Sequence, residues 1–144
     1  MPANINPIYS AAGVIYAAQG YNSVVVGPTA NTNLDGTGTM YLIFQGSGNG
    51  NYIQRIRFRA VGSPAATVAR VFINNGGALG TATTWLWDEI AMPAISVSQT
   101  AATSVYELPQ NFVLPAGYSL YVSFGTSTGA AGTGYSVVVI AGAY

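Results

Sequence analysis

Three arginines stand at alternate positions in the segment Tyr52-Ile53-Gln54-Arg55-Ile56-Arg57-Phe58-Arg59-Ala60. Side chains alternate between faces along an extended strand. Arg55, Arg57 and Arg59 therefore share one face, and Ile56 and Phe58 the other. Successive arginines are then about 6.6–6.8 Å apart. Such a basic stripe can dock on an acidic partner surface. The chain has only four acidic residues, Asp35, Asp88, Glu89 and Glu107. Asp88, Glu89 or Glu107 on an adjacent strand would instead balance the stripe inside the subunit. An arginine can do both, pairing internally and still lining an interface.

Trp85-Leu86-Trp87-Asp88-Glu89 alternates in the same way. It groups Trp85, Trp87 and Glu89 against Leu86, Asp88 and Ile90. Two indoles in line suit sugar stacking if exposed, and a core or subunit interface otherwise. Asn31-Thr32-Asn33-Leu34-Asp35-Gly36 opens like an oxygen-ligand calcium loop. Leu42 then stands where a bidentate Glu is needed, so the segment reads as an Asx-type turn with Gly36 at positive φ. Glycoside hydrolysis needs two carboxyls about 5–10 Å apart. Asp88 and Glu89 point to opposite faces; a pair with Glu107 stays open, with nothing in the sequence to support it. Gly36-Thr37-Gly38 and residues 125–134 are glycine-rich, yet neither joins a strand to a helix, as a phosphate cradle requires.

Composition narrows the chemistry further. The 144 residues include no His, no Cys and no Lys. Most transition-metal sites, Ser-His-Asp and Cys-His catalysis, and Schiff-base chemistry lack their side chains. No disulfide framework is available, so stability must come from packing or assembly. No metal and no cofactor are expected. Charged residues are 6% of the chain and the formal net charge is zero, against about 25% charged in ordinary soluble domains. Nucleic acid is not an expected partner, because its binding needs surplus cations. A chain so nearly neutral tends to associate. No apolar run approaches the ~20 residues of a spanning helix. A lipid-facing barrel would need ~9–11-residue strands throughout, with aromatic girdles. The start, Met1-Pro2-Ala3-Asn4, carries no basic region, and no signal peptide is expected. A membrane is not an expected partner either.

The elements that must position these residues are strands. Runs rich in Val, Ile, Tyr, Phe and Trp are separated by Gly, Asn, Pro, Ser and Thr clusters. Residues 1–12 form an extended arm, held open by Pro2 and Pro7. Strands are expected at about 14–18, 23–26, 39–45, 52–61, 67–74, 83–91, 104–108, 118–124 and 135–143, with a weak edge strand at 94–98. Gly46 to Gly50 reads as a hairpin loop and Asn75-Gly76-Gly77 as a turn. The expected fold is all-β: an antiparallel sandwich, jelly-roll-like, of about eight strands, with residues 13–144 as one domain.

Several segments, taken in order, carry a resemblance. They are Asn4-Ile5-Asn6-Pro7-Ile8-Tyr9, residues 30–39, Ile53 to Ala60, Val71-Phe72-Ile73, Trp85 to Ile90, Phe112 to Tyr118 and the Ala-Gly-Ala-Tyr end. Together they resemble small virion structural proteins of tailed bacteriophages and prophages, similar to jelly-roll head decoration (cement) proteins. The resemblance implies a homotrimer on the outer surface of the phage head, made in the host cytoplasm and bound to the major capsid protein. It implies no catalytic residue. Contacts with the capsid or with sister subunits are expected at Ile5, Pro7, Ile8 and Tyr9 of the arm, which can add a strand to a neighbour's sheet, and at Arg55, Arg57 and Arg59. Alternative expectations are a tail, neck or head-fibre module, and a surface module that binds host glycans through Trp85, Trp87 or surface Tyr.

Overall fold

The computed structural model describes residues 27–46 and 48–143, and in addition the backbone of residues 13–17. The arm, with Ile5, Pro7, Ile8 and Tyr9, and the strand expected at 23–26 lie outside the described residues.

Eight strands run in chain order: β1 (Gly13–Ala17), β2 (Tyr41–Gln45), β3 (Asn51–Val61), β4 (Thr67–Asn74), β5 (Thr84–Met92), β6 (Val105–Leu114), β7 (Ser119–Phe124) and β8 (Gly134–Ala143). They form two four-stranded sheets, β1-β8-β3-β6 (sheet A) and β2-β7-β4-β5 (sheet B). Every pairing is antiparallel. Successive strands change sheet at each connection except the β4–β5 hairpin. This order is that of a jelly roll, two Greek keys folded into a sandwich.

The core lies between the sheets. Ile53, Ile56 and Phe58 of β3 meet Val71 and Ile73 of β4, with Leu120, Val122 and Phe124 of β7 and Val137 and Val139 of β8, all buried. Phe124 and Tyr135 stack at 5.7 Å between centroids. Alternation explains most of this set, but Ile53 does not share parity with Ile56. A bulge resets the phase: Ile53 faces Ala141 and Arg55 faces Ile140, so Gln54 is the extra residue on β3. Ile53 and Ile56 thereby both point inward, and Gln54 and Arg55 both lie on the outer side.

Two expected elements differ. Gly46 to Gly50 is not a hairpin loop, because β2 and β3 belong to different sheets. Residues 94–98 form no strand. They are held by isolated bonds, Ile95 N to Pro64 O (3.0 Å) and Val97 N to Ser63 Oγ (3.2 Å), with no ladder. In return β6 runs on through Pro109 to Leu114. Proline is tolerated there because β6 is the edge of sheet A and pairs only with β3. Among the described residues no helix is long and apolar enough to cross a membrane.

Candidate functional site

The arginine stripe lies on the outer face of sheet A. Arg55, Arg57 and Arg59 stand opposite Pro109, Glu107 and Val105 of β6. They face Ile140, Val138 and Ser136 of β8 on the other side. Glu107 Oε1 is shared, 3.5 Å from Arg55 Nε and 3.8 Å from Arg57 Nε. Of the acids named from sequence, Glu107 is thus the one that balances the stripe. Exposed pairs of this length contribute about 0–1 kcal/mol. Arg59 is exposed, with no ion pair or hydrogen bond among the described residues. Arg57, Arg59, Ser136, Val138 and Ile140 line an open groove of about 350 Å³. Its floor is aliphatic and its rim cationic.

The outer face of sheet B is finished differently. Arg70, Phe72 and Asn74 alternate with the core residues Val71 and Ile73, so they point away from the core. Even so, Phe72 is fully buried without belonging to the core between the sheets. Segment 27–40 meets this face at both ends of the row. Asn31 N donates to Phe124 O (2.8 Å) and Arg70 Nη1 donates to Asn31 O (3.2 Å). Farther on, a Cβ on Gly36 would come within 2.6 Å of Thr84 O. Arg70 Nε also donates to Glu89 Oε1 at 2.9 Å. Beneath the segment, Asn74 Nδ2 donates to Thr84 Oγ1 at 2.8 Å, so both buried polar groups are satisfied.

Buried Asn31 organises the turn itself. Its Nδ2 donates to Thr37 O and Thr39 O, each at 2.9 Å, and its Oδ1 accepts from Asn33 N at 3.0 Å. Asp35 Oδ1 accepts from Thr37 Oγ1 (2.6 Å) and Thr37 N (3.1 Å). The Thr37 hydroxyl, followed by its amide, holds the Asp35 carboxyl below its ordinary pKa. Gly36 has φ +84°. The oxygen-rich spacing is spent on Asx turns, as the Asx reading expects.

A third surface is the open edge where β5 and β6 run along the same side of the sandwich. Val71 faces Asp88 and Phe72 faces Leu86, so Trp87 is the extra residue of a bulge. The bulge shifts the phase, so Trp85 stands opposite the core residue Ile73 while Glu89 stands opposite the outward Arg70. Trp85, Trp87 and Glu89 do not share the one face that strict alternation implies. Its Nε1 donates to Gln110 Oε1 (2.7 Å), and its ring lies 5.0 Å from that of Phe112 on β6. Gln110 Nε2 donates in turn to Asp88 Oδ2 (3.1 Å). Trp85 meets Tyr118 edge-on at 6.4 Å. Both indoles remain 43% and 47% exposed.

These placements separate the acids. Glu107 lies on the outer face of sheet A and Glu89 on that of sheet B, while Asp88 is bonded to Gln110 at the edge. The structure does not bring Glu107 to either of them. Among the described residues no group of three or more His, Cys, Asp or Glu could hold a metal ion. Sequence reading missed Arg70–Glu89 and the Trp87–Gln110–Asp88 bridge. The first had a faint signal, the single cation outside the stripe. The second had none, since Gln110 gains its role only when the two edges come together.

The chain matches no protein-family model and no curated protein sequence.

Proposed function

We propose that this chain is a non-enzymatic structural protein of a tailed-phage virion, a decoration or cement protein that binds the outside of the head shell and stabilises it. The observation that carries this reading is the outer face of sheet A, where three of the four arginines stand in a row and two of them, Arg57 and Arg59, flank an aliphatic groove. That face combines charge steering with apolar contact, as partner surfaces do. The jelly roll and the scarcity of charge support the same reading, because a shell subunit is covered by neighbours over much of its surface. Many weak contacts on a repeating lattice add by avidity. The arm with Ile5, Pro7, Ile8 and Tyr9 supplies a second contact by strand addition.

A reconstruction of the intact particle tests this. Hundreds of copies on the head are expected; a dozen or fewer, at a neck or tail, would replace the decoration role by a tail-module role. Deleting residues 1–12 should lower occupancy on expanded heads, and unchanged occupancy would remove the arm from the reading. The half-exposed Trp85 and Trp87 favour a second reading, stacking on a host-surface glycan. A glycan array with no hit, or with hits unchanged by Trp87→Ala, would end it.

A further inference from the structure

The eight charged side chains are segregated. Arg55, Arg57, Arg59 and Glu107 share the outer face of sheet A, a net excess of two positive charges. Arg70, Glu89 and Asp35 lie on the sheet B side, a net excess of one negative charge, and Asp88 stands at the β5–β6 edge, bonded to Gln110. The zero net charge is therefore a cancellation between a positive sheet A face and negative charge elsewhere on the sandwich.

Each side also presents a shape. On the sheet B side the Asn31 turn displays Leu34, 52% exposed, next to Asp35. Of the Asp35 oxygens, Oδ1 takes both Thr37 bonds, and Oδ2 has no hydrogen bond among the described residues. The turn is braced by the Asn31 and Asn33 side chains, so little conformational freedom remains to be lost on docking. On the sheet A side the groove offers Val138 and Ile140 beside Arg57 and Arg59. A protruding Leu-Asp pair faces one way, and an aliphatic groove with a guanidinium rim faces the other.

We propose that the Leu34–Asp35 tip of one copy seats in the Arg57/Arg59 groove of a second copy, with Leu34 on Val138 and Ile140 and the free Asp35 oxygen on the guanidinium groups. Tip and groove are different patches, so the contact is head-to-tail, and repetition closes a ring or extends a filament. It needs no partner but this chain. The contact assigns the face that carries the shell-binding reading to a sister copy. Association of the isolated chain tests this contact, and occupancy on heads tests the shell reading, so the two failures are distinguishable.

Sedimentation velocity of the purified full chain tests it, in a concentration series up to millimolar at low and high salt. The wild type should associate, and less at high salt. Leu34→Ser with Asp35→Asn should weaken association at least about tenfold; Asn keeps the Oδ1 acceptor for Thr37, so the turn survives. Arg59→Glu should do the same, and it breaks no bond among the described residues. Mixing the tip variant with the groove variant leaves one working contact per pair, so association should stop at a 1:1 complex. A wild type that stays monomeric overturns the proposal. So does association that ignores both variants, or a mixture that forms no pair.

Discussion

The two outer faces of the sandwich carry arginines in strand registers of the same kind, yet among the described residues a segment of the chain is bonded to one face and none to the other. On sheet B, Arg70 is held by Glu89 and by the carbonyl of Asn31, and the outward-pointing Phe72 is fully buried. On sheet A, Arg57 and Arg59 stand over Val138 and Ile140, with one distant carboxylate shared between Arg55 and Arg57. Arginine is structural where a covering segment supplies acceptors and displaces water. Where no such segment lies among the described residues, its charge and the apolar floor beside it stay available to a partner. Substitutions on sheet B should therefore cost stability, and those on sheet A should cost contacts.

The largest effect is expected at Phe72. Phe72→Ala should destabilise by about 3–5 kcal/mol in chemical denaturation, as for other fully buried aromatics. A loss below ~1 kcal/mol would mean that the covered face is not a second core. Gly36→Ala comes next, at about 2 kcal/mol. It forces a side chain into the left-handed region and against the Thr84 carbonyl. Thermal unfolding would show it, and an unshifted midpoint would deny that the turn is clamped there. Arg70→Ala should cost about 1.5 kcal/mol, in the range for hydrogen bonds to charged groups, and should speed amide exchange in residues 31–39.

The core between the faces gives a smaller, pH-dependent test. Tyr135 is fully buried, and its hydroxyl has no hydrogen-bond partner among the described residues. Burial, with a lesser contribution from Tyr106, pushes its pKa up to about 12. Its folded pKa thus lies above the unfolded value near 10. The unfolded chain releases this proton first, so stability falls as pH rises from about 10 towards 12. Tyr135→Phe should change little at neutral pH and should be more stable than wild type by about 1 kcal/mol at pH 11. Parallel loss in both proteins would show the hydroxyl to be satisfied or wet. The smallest effect belongs to the open face: Arg59→Ala should shift stability by less than about 0.5 kcal/mol. A larger loss would erase the contrast between the faces.

The stripe shows how far alternation carries. Parity alone put Arg55, Arg57 and Arg59 on one side and Ile56 and Phe58 on the other, and that holds because no bulge interrupts residues 55–59. The same rule misplaces Ile53, and it joins Trp85 to Glu89, because a bulge at Gln54 and another at Trp87 each shift the phase by one residue. A bulge depends on how two strands meet, and one strand's sequence does not record that. The Asx turn was legible because Asn31, Asn33, Asp35 and Gly36 bond to their own neighbourhood. That the turn lies on sheet B was not legible.

Local rules, then, settle from sequence alone that this chain is all-β, which side of β3 is basic, how residues 31–36 turn, and which chemistries lack their side chains. These depend on residue type and on neighbours a few positions away. Tertiary structure alone decides that Glu107 serves the stripe while Glu89 serves Arg70, that Phe72 is buried from outside the sandwich, and that the positive and negative sides face apart. Those outcomes depend on which strands become neighbours across the two sheets. In a jelly roll nearly every connection changes sheet, so chain neighbours are seldom sheet neighbours.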